Sequence, residues 1–259
     1  MYQSVPESEG RMYEDVKNVL EQCRLERKLI FNILLAVSEA FTNALVHANN
    51  YNADKKIEII IKTNDKFVSA DIIDEGSGLP ERPECDMSDR MAEGGRGLAL
   101  MKKMSDRIEI RSNRRTGGTE VSMQFAREKI ESKNRNEHKM EGMMEIVKRE
   151  TGNTVIFNLS GRLDLGNGNR LKEDVKAVLS TGKTSIHLNL RQIEFVNSSG
   201  LGALVSIMKD VRVHRGRLTL SDMADYVREI FDITQLSHIF EIFATEQEAL
   251  NSYQPISVG

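Results

Sequence analysis

Between Ala126 and Gly142 the chain reads AREKIESKNRNEHKMEG and loses its aromatic and β-branched residues almost completely. A stretch so charged and amide-rich buries too little apolar surface to offset the entropy of ordering, and behaves as a solvated linker. It divides 259 residues into two stretches, each long enough for a compact domain with its own core. The expected division is residues 1–128, a linker over 129–142, and residues 143–259. Glu and Lys are good helix formers, so the early linker can also extend a helix, leaving Ser132 to Gly142 as its flexible portion.

The two stretches are patterned differently. In the first, helices are expected over Arg11–Cys23 and Leu29–Ala48, then strands Ile57–Lys62 and Lys66–Ile73 joined by Asn64-Asp65, a hairpin turn. A helix over Gly97–Met104 precedes strands Arg107–Ser112 and Thr119–Phe125, so this half is an α+β two-layer sandwich. In the second, strands Met144–Glu150, Val155–Leu159, Ser185–Leu190 and Arg217–Ser221 alternate with helices near Gly168–Leu179, from Ser199, and over Ala224–Ile233. A short strand near Ile239 and a last helix Glu246–Tyr253 follow. Strands alternating with helices imply parallel pairs with crossovers, hence an α/β domain.

Composition closes off several functions. Net charge is −3 with both signs spread along the chain, so no basic field is available to attract nucleic acid or an anionic membrane surface. The cysteines, Cys23 and Cys85, have no ligand spacing and form no disulfide framework. The polar start, Met1 to Gly10, lacks an apolar signal core, and no apolar run approaches the roughly 20 residues that span a bilayer. A soluble, cytoplasmic protein is expected.

Within Leu29–Ala48, apolar nearly all round, Asn32, Glu39, Asn43 and His47 fall close together when wound at about 100° per residue. A buried carboxylate without a partner is costly, so Glu39 should face water, a cation or a ligand; a stripe that simply faces solvent is the plain alternative. Asp74 ends a strand and is followed by Glu75-Gly76-Ser77-Gly78, whose glycines permit a tight loop and close approach of a flat ligand. An Asp-Gly turn alone gives the same pattern. Gly94-Gly95-Arg96-Gly97 opens an apolar helix, bringing backbone N–H groups and an Arg to one place, as anionic phosphates require.

The ordered set of Glu39-x-x-x-Asn43, Asp74-x-Gly76-x-Gly78, Gly95-x-Gly97 and Gly117-Gly118-Thr119 resembles the GHKL (Bergerat) ATPase superfamily. The wording Ser38-Glu39-Ala40 and Thr42-Asn43-Ala44, with the short span from Gly78 to Gly94, is similar to the anti-sigma-factor serine kinases over about Ala36–Phe125. The resemblance implies Mg²⁺-ATP: Asn43 coordinates Mg²⁺, Asp74 hydrogen-bonds the adenine amine, and Glu39, one helical turn from Asn43, is the general base. Gly95, Arg96 and Gly97 hold phosphates together with Gly94, while Gly76 and Gly78 line the nucleotide. His47 and Leu98 belong to the same implied site, and Thr119 supports Asp74. Arg96 can instead point outward to a partner. Pro80–Glu93 is expected to be a lid that orders with nucleotide. Little sequence precedes the first helix, so the family's N-terminal strand is shortened or absent, which leaves homodimerisation by that edge open.

In the second half Asn197-Ser198-Ser199-Gly200 opens an apolar helix and offers natural N-caps. With Gly161-Arg-Leu-Asp164 and Ser199-Gly-Leu-Gly-Ala203, residues of about Met144–Tyr253 resemble the STAS domains of anti-sigma-factor antagonists. The resemblance implies Ser199 as phosphoacceptor, with Ser198 the alternative. Asn197 stands where that family usually has Asp, removing a negative charge from the expected rim. The two resemblances imply a partner-switching regulator. A Mg-ATP-dependent serine kinase would phosphorylate a STAS serine, its own or that of a separate antagonist, would sequester a sigma factor or similar target, and would be reset by a serine phosphatase. A non-catalytic ATP-binding interaction module is the alternative.

Overall fold

The structure, a computed structural model, describes residues 1–78, 95–127 and 144–253. It divides into two compact units, Met1–His138 and Lys139–Gly259. Both the linker over 129–142 and the lid over Pro80–Glu93 lie outside the described residues, as does Gly94.

The first unit runs β1 (Tyr2–Gln3), α1 (Glu7–Gln22), α2 (Arg27–Asn43), β2 (Lys56–Thr63), β3 (Phe67–Asp74), α3 (Gly95–Met104), β4 (Arg107–Ser112) and β5 (Thr119–Ala126). Its antiparallel sheet has the order β1-β2-β3-β5-β4. The first strand is two residues long, paired as Tyr2 to Ile57 and Gln3 to Lys56. The β2–β3 hairpin closes where Asn64 turns its Oδ1 to the N–H groups of Lys66 and Phe67, at 2.8 and 3.0 Å.

Helix α2 is the core of this unit. Ile33, Leu35, Val37 and Phe41 are fully buried, α1 and α3 pack along it, and β3 and β5 support it. Truncating any of these large side chains to Ala costs ~2–5 kcal/mol. With the turn that follows, Arg27–Ala48 is long and apolar enough to cross a bilayer by length and composition, contrary to the sequence expectation. Its most apolar 18-residue window is 67% buried inside the unit, the position of a core helix. The helix is also not uniform: α geometry ends at Asn43, and Ala44–Ala48 form a π-helical turn. The single α-helix expected to Ala48 is thereby corrected, because Asn49 N–H reaches back five residues to Ala44 O at 2.8 Å.

The second unit runs β6 (Glu145–Thr151), β7 (Thr154–Leu163), α4 (Leu165–Leu179), β8 (Ser185–Val196), α5 (Ser198–Val213), β9 (Arg217–Ser221), α6 (Asp225–Ile233), β10 (Glu241–Phe243) and α7 (Glu246–Asn251). The sheet order is β10-β9-β8-β7-β6, with β6–β7 antiparallel and the other pairs parallel, as alternating strands and helices require. Strand β8 runs on to Val196, past the loop expected after Leu190. Ile193 and Phe195 continue to bury their side chains and pair with Gly161 and Arg162 across register shifts in β7.

At the centre of this sheet His187 is fully buried. Its Nδ1 lies 2.8 Å from Thr219 Oγ1 and its Nε2 lies 3.0 Å from Ser221 Oγ. Ser221 gives its hydroxyl proton to Asp222 Oδ2 at 2.7 Å, so Nε2 carries the imidazole hydrogen and Nδ1 accepts from Thr219. Burial pushes this imidazole down to about 4, against the opposing pull of the Glu246 and Asp222 charges.

Both sheets end on polar strands. Arg107, Glu109 and Arg111 on β4 are exposed, as are Glu145, Lys148, Arg149 and Glu150 on β6.

Candidate functional site

In the first unit the expected residues fall on the end of α2, the end of β3, the first turn of α3 and the start of β5. Asp74 is the last residue of β3 and only 4% exposed. Its Oδ1 accepts two backbone hydrogen bonds, from Gly76 N–H and Thr119 N–H, each 2.9 Å. Neither bond uses Oδ2, which is the oxygen available to an amine donor. Gly118 permits this approach, because a Cβ there would lie 2.3 Å from both Asp74 O and Asp74 Oδ1. At Gly76 a Cβ would meet the carbonyl oxygen of Ala48 at 2.7 Å, so the loop after β3 is pressed against the π turn. Gly78 takes a left-handed φ of 76°.

Glu39 is fully buried and Asn43, one turn later, is half-buried. The plain solvent-facing stripe is therefore excluded for Glu39. The other expected stripe members do not stay with it. His47 lies in the π turn and is exposed, since the wider winding breaks the 100° spacing. Asn32 lines a cleft of about 260 Å³ beside Arg24, Lys28, Lys103 and Asp106, at the opposite end of α2 from Asn43.

Gly95, Arg96 and Gly97 form the first turn of α3 itself, with Gly97 buried and Leu98 half-buried. Arg96 is also half-buried, and its Nε is fully buried without a hydrogen-bond partner among the described residues. A buried guanidinium nitrogen beside free helix N–H groups is a setting for an anion. The clamped carboxylate could hold the amine of a base and this donor the phosphates of a nucleotide.

In the second unit Asn197 is fully buried, not at a rim as expected. It caps α5, accepting from Gly200 N–H through Oδ1 at 3.0 Å. Ser198 and Ser199 are the first two helical residues, both half-buried. Gly200 is held so close to the neighbouring strand that a Cβ would sit 2.0 Å from Leu163 O. Asp164 caps α4 in the same manner, at the end of the adjacent parallel strand, accepting from Asn167 N–H at 3.1 Å. Its charge is matched by buried Arg162, 2.7 Å away. The Gly161-Arg-Leu-Asp164 motif thus builds the cap beside the serine-bearing cap, at the carboxyl ends of two parallel strands.

Comparison with known proteins accords with this geometry. Residues 3–125 match the histidine kinase-like ATPase domain and residues 145–249 match the STAS domain. The anti-sigma-B factor antagonist of Listeria monocytogenes is 30% identical over 40% of this chain and 91% of its own length. The serine-protein kinase RsbW of Bacillus licheniformis is 38% identical over 36% of this chain, which spans 62% of that kinase's length. The structure of the anti-sigma factor antagonist SpoIIAA in its unphosphorylated form is 23% identical over 43% of this chain and all of that one, at a TM-score of 0.37. The chain belongs to the anti-sigma factor antagonist family, with a histidine kinase-like ATPase domain fused ahead of its STAS domain. A domain of this kind implies ATP binding in the first unit.

Two features have no counterpart in the sequence reading: the hydrogen bond that Thr42 Oγ1 donates to Glu9 Oε1 at 2.9 Å between α2 and α1, and the buried position of Asn197. An acidic residue in a first helical turn is ordinary, and a polar cap gives no sign in sequence of how deep it lies.

Proposed function

We propose that this chain is a Mg-ATP-dependent protein serine kinase that phosphorylates a STAS serine and so controls the sequestration of a sigma factor or another switched protein. The observation that carries the reading is Glu39, a wholly buried carboxylate one helical turn from Asn43.

In this reading Asp74 takes the adenine amine through Oδ2, and Arg96 with the first-turn N–H groups of α3 takes the phosphates. Asn43 would hold Mg²⁺, which supplies charge neutralisation on the phosphates. Glu39 accepts the proton of the attacking serine hydroxyl. The serine Oγ–phosphorus bond forms, the bridging oxygen–γ-phosphorus bond breaks, and ADP leaves with that electron pair.

The acceptor is Ser199 of this chain or the equivalent serine of a separate antagonist, with Ser198 the alternative. A tether of this length gives an effective concentration of order millimolar where it spans the two sites. Phosphate in the first turn of α5 adds about −1.5 to −2 charges at an end that tolerates anions, so its effect falls on a docking partner. A serine phosphatase in the same cytoplasmic setting would reset the switch.

Intact-mass analysis after incubation with Mg²⁺-ATP tests this, at several protein concentrations to separate cis from trans transfer. One added phosphate that disappears in Glu39→Gln and in Ser199→Ala is the expected result. ATP binding with no mass gain on this chain or on a supplied STAS antagonist would overturn it in favour of a binding module.

A further inference from the structure

Glu9 stands in the first turn of α1 and is 3% exposed, a carboxylate that nothing in the proposed chemistry uses. Carboxylates that deep persist only with hydrogen-bonding partners. One partner is Thr42, itself 5% exposed, whose Oγ1 donates to Glu9 Oε1 at 2.9 Å. A threonine inside a helix commonly turns its hydroxyl to a carbonyl of its own preceding turn. Thr42 gives its proton to another helix instead.

Its place matters because Thr42 immediately precedes Asn43, the residue at which α2 gives way to the π turn. After that turn Asn50 and Tyr51 both adopt left-handed backbone, at φ of 52° and 55°, and Tyr51 N–H reaches back to Leu45 O at 3.0 Å. Consecutive non-glycine residues in that region are strained, and such segments persist where their surroundings hold them. The stretch from Ala44 to Tyr51 is thus wound off α geometry and pressed at Ala48 against Gly76 of the loop that carries Asp74. Glu9 acts near both of its ends. It bonds Thr42 directly, and its negative charge adds to burial in raising the Tyr51 phenol above its ordinary value.

We propose that Glu9 is a positioning residue for the metal site: by fixing Thr42 it fixes Asn43 at the α-to-π junction, which makes the metal-dependent part of nucleotide binding depend on helix α1. The inference rests on the reading of Asn43 as the Mg²⁺ ligand.

The test is calorimetric binding of a non-hydrolysable ATP analogue to the full chain, with Mg²⁺ and with EDTA, in the wild type and in Thr42→Val, Thr42→Ser, Glu9→Ala, Glu9→Gln and Asn43→Ala. Thr42→Val and Glu9→Ala should lower the affinity gain from Mg²⁺ by about tenfold, the worth of one net hydrogen bond, and leave the EDTA affinity unchanged. Thr42→Ser and Glu9→Gln keep a donor and an acceptor, so they should retain the gain within about twofold. An unchanged gain in Thr42→Val, with the gain lost in Asn43→Ala, would overturn the role of Glu9 alone. Equal losses with and without Mg²⁺ would reduce the bond to packing and overturn it too. No Mg²⁺ gain in the wild type would overturn the reading of Asn43 beneath it. Thr42→Val keeps the branched shape of the side chain and Thr42→Ser keeps its hydroxyl, so the test stands even where Glu9→Ala does not fold.

Discussion

Asp74 in the first unit and Asn197 in the second do related work at the end of a strand: each turns a side-chain oxygen to backbone N–H groups and ties a loop or helix start in place. The difference lies in what is left over. Asp74 satisfies both N–H groups with Oδ1 and keeps a second, chemically identical oxygen, whereas Asn197 is a fully buried amide whose acceptor serves the cap of α5. A carboxylate used as a clamp can also receive a ligand; a neutral amide used as a clamp presents a serine and avoids a buried charge behind it. Under the proposed function the same device serves a different end in each unit, recognition in one and presentation in the other.

The comparison breaks most visibly at the glycines behind the two clamps. Gly200→Ala places a Cβ 2.0 Å from the Leu163 carbonyl, a backbone clash, and should destabilise the second unit by more than about 3 kcal/mol. Differential scanning calorimetry should then show that unit's transition lost or strongly lowered, with the first unit's preserved.

Asp74→Asn asks whether the second oxygen matters. Its amide oxygen can still accept from Gly76 and Thr119, but a donor replaces the acceptor offered to the ligand. Nucleotide affinity should fall by about 100-fold, ~2.7 kcal/mol, with little change in melting temperature. Equal affinity would show that the clamp is structural only.

Acid should separate the units. The unfolded imidazole of His187 titrates near 6.5 and the folded one near 4, so between those values the unfolded chain holds the extra proton. The stability this group contributes is complete above about pH 6.5 and is lost as pH falls towards 4, at no more than ~1.4 kcal/mol per pH unit. Denaturant titrations from pH 7 to 4 should show this loss in the second unit, and His187→Gln should flatten it. Asn197→Ala is the smallest perturbation, removing one cap at a cost of ~1 kcal/mol and releasing the start of α5. Faster amide exchange at Gly200 would mark it.

Much of this organisation is legible in the sequence because it rests on local chemistry. The Asn64-Asp65 turn closes its hairpin through the Asn side chain, and the Asn197 cap starts α5 one residue before the expected Ser199. The order of Glu39, Asn43, Asp74, Gly76, Gly78 and Thr119 was readable as a set. The contacts that join Asp74 to Thr119 and Gly118 were not, since they are made by backbone atoms of distant strands. Residues with no local signature were misplaced. The π turn has no composition of its own, so His47 was drawn into a stripe it leaves. Strand β8 runs through Arg191 to Val196 because its neighbour β7 pairs with it there, a tertiary cause.

The polar outer strands have a consequence for assembly. A strand edge offers a row of unpaired amides and carbonyls to any second strand of suitable length. The charges on β4 and β6 oppose such pairing, because a second strand would have to bury them or meet like charges. A design that neutralised Arg107, Glu109 and Arg111 together with Glu145, Lys148 and Arg149 would remove that guard and favour aggregation between molecules.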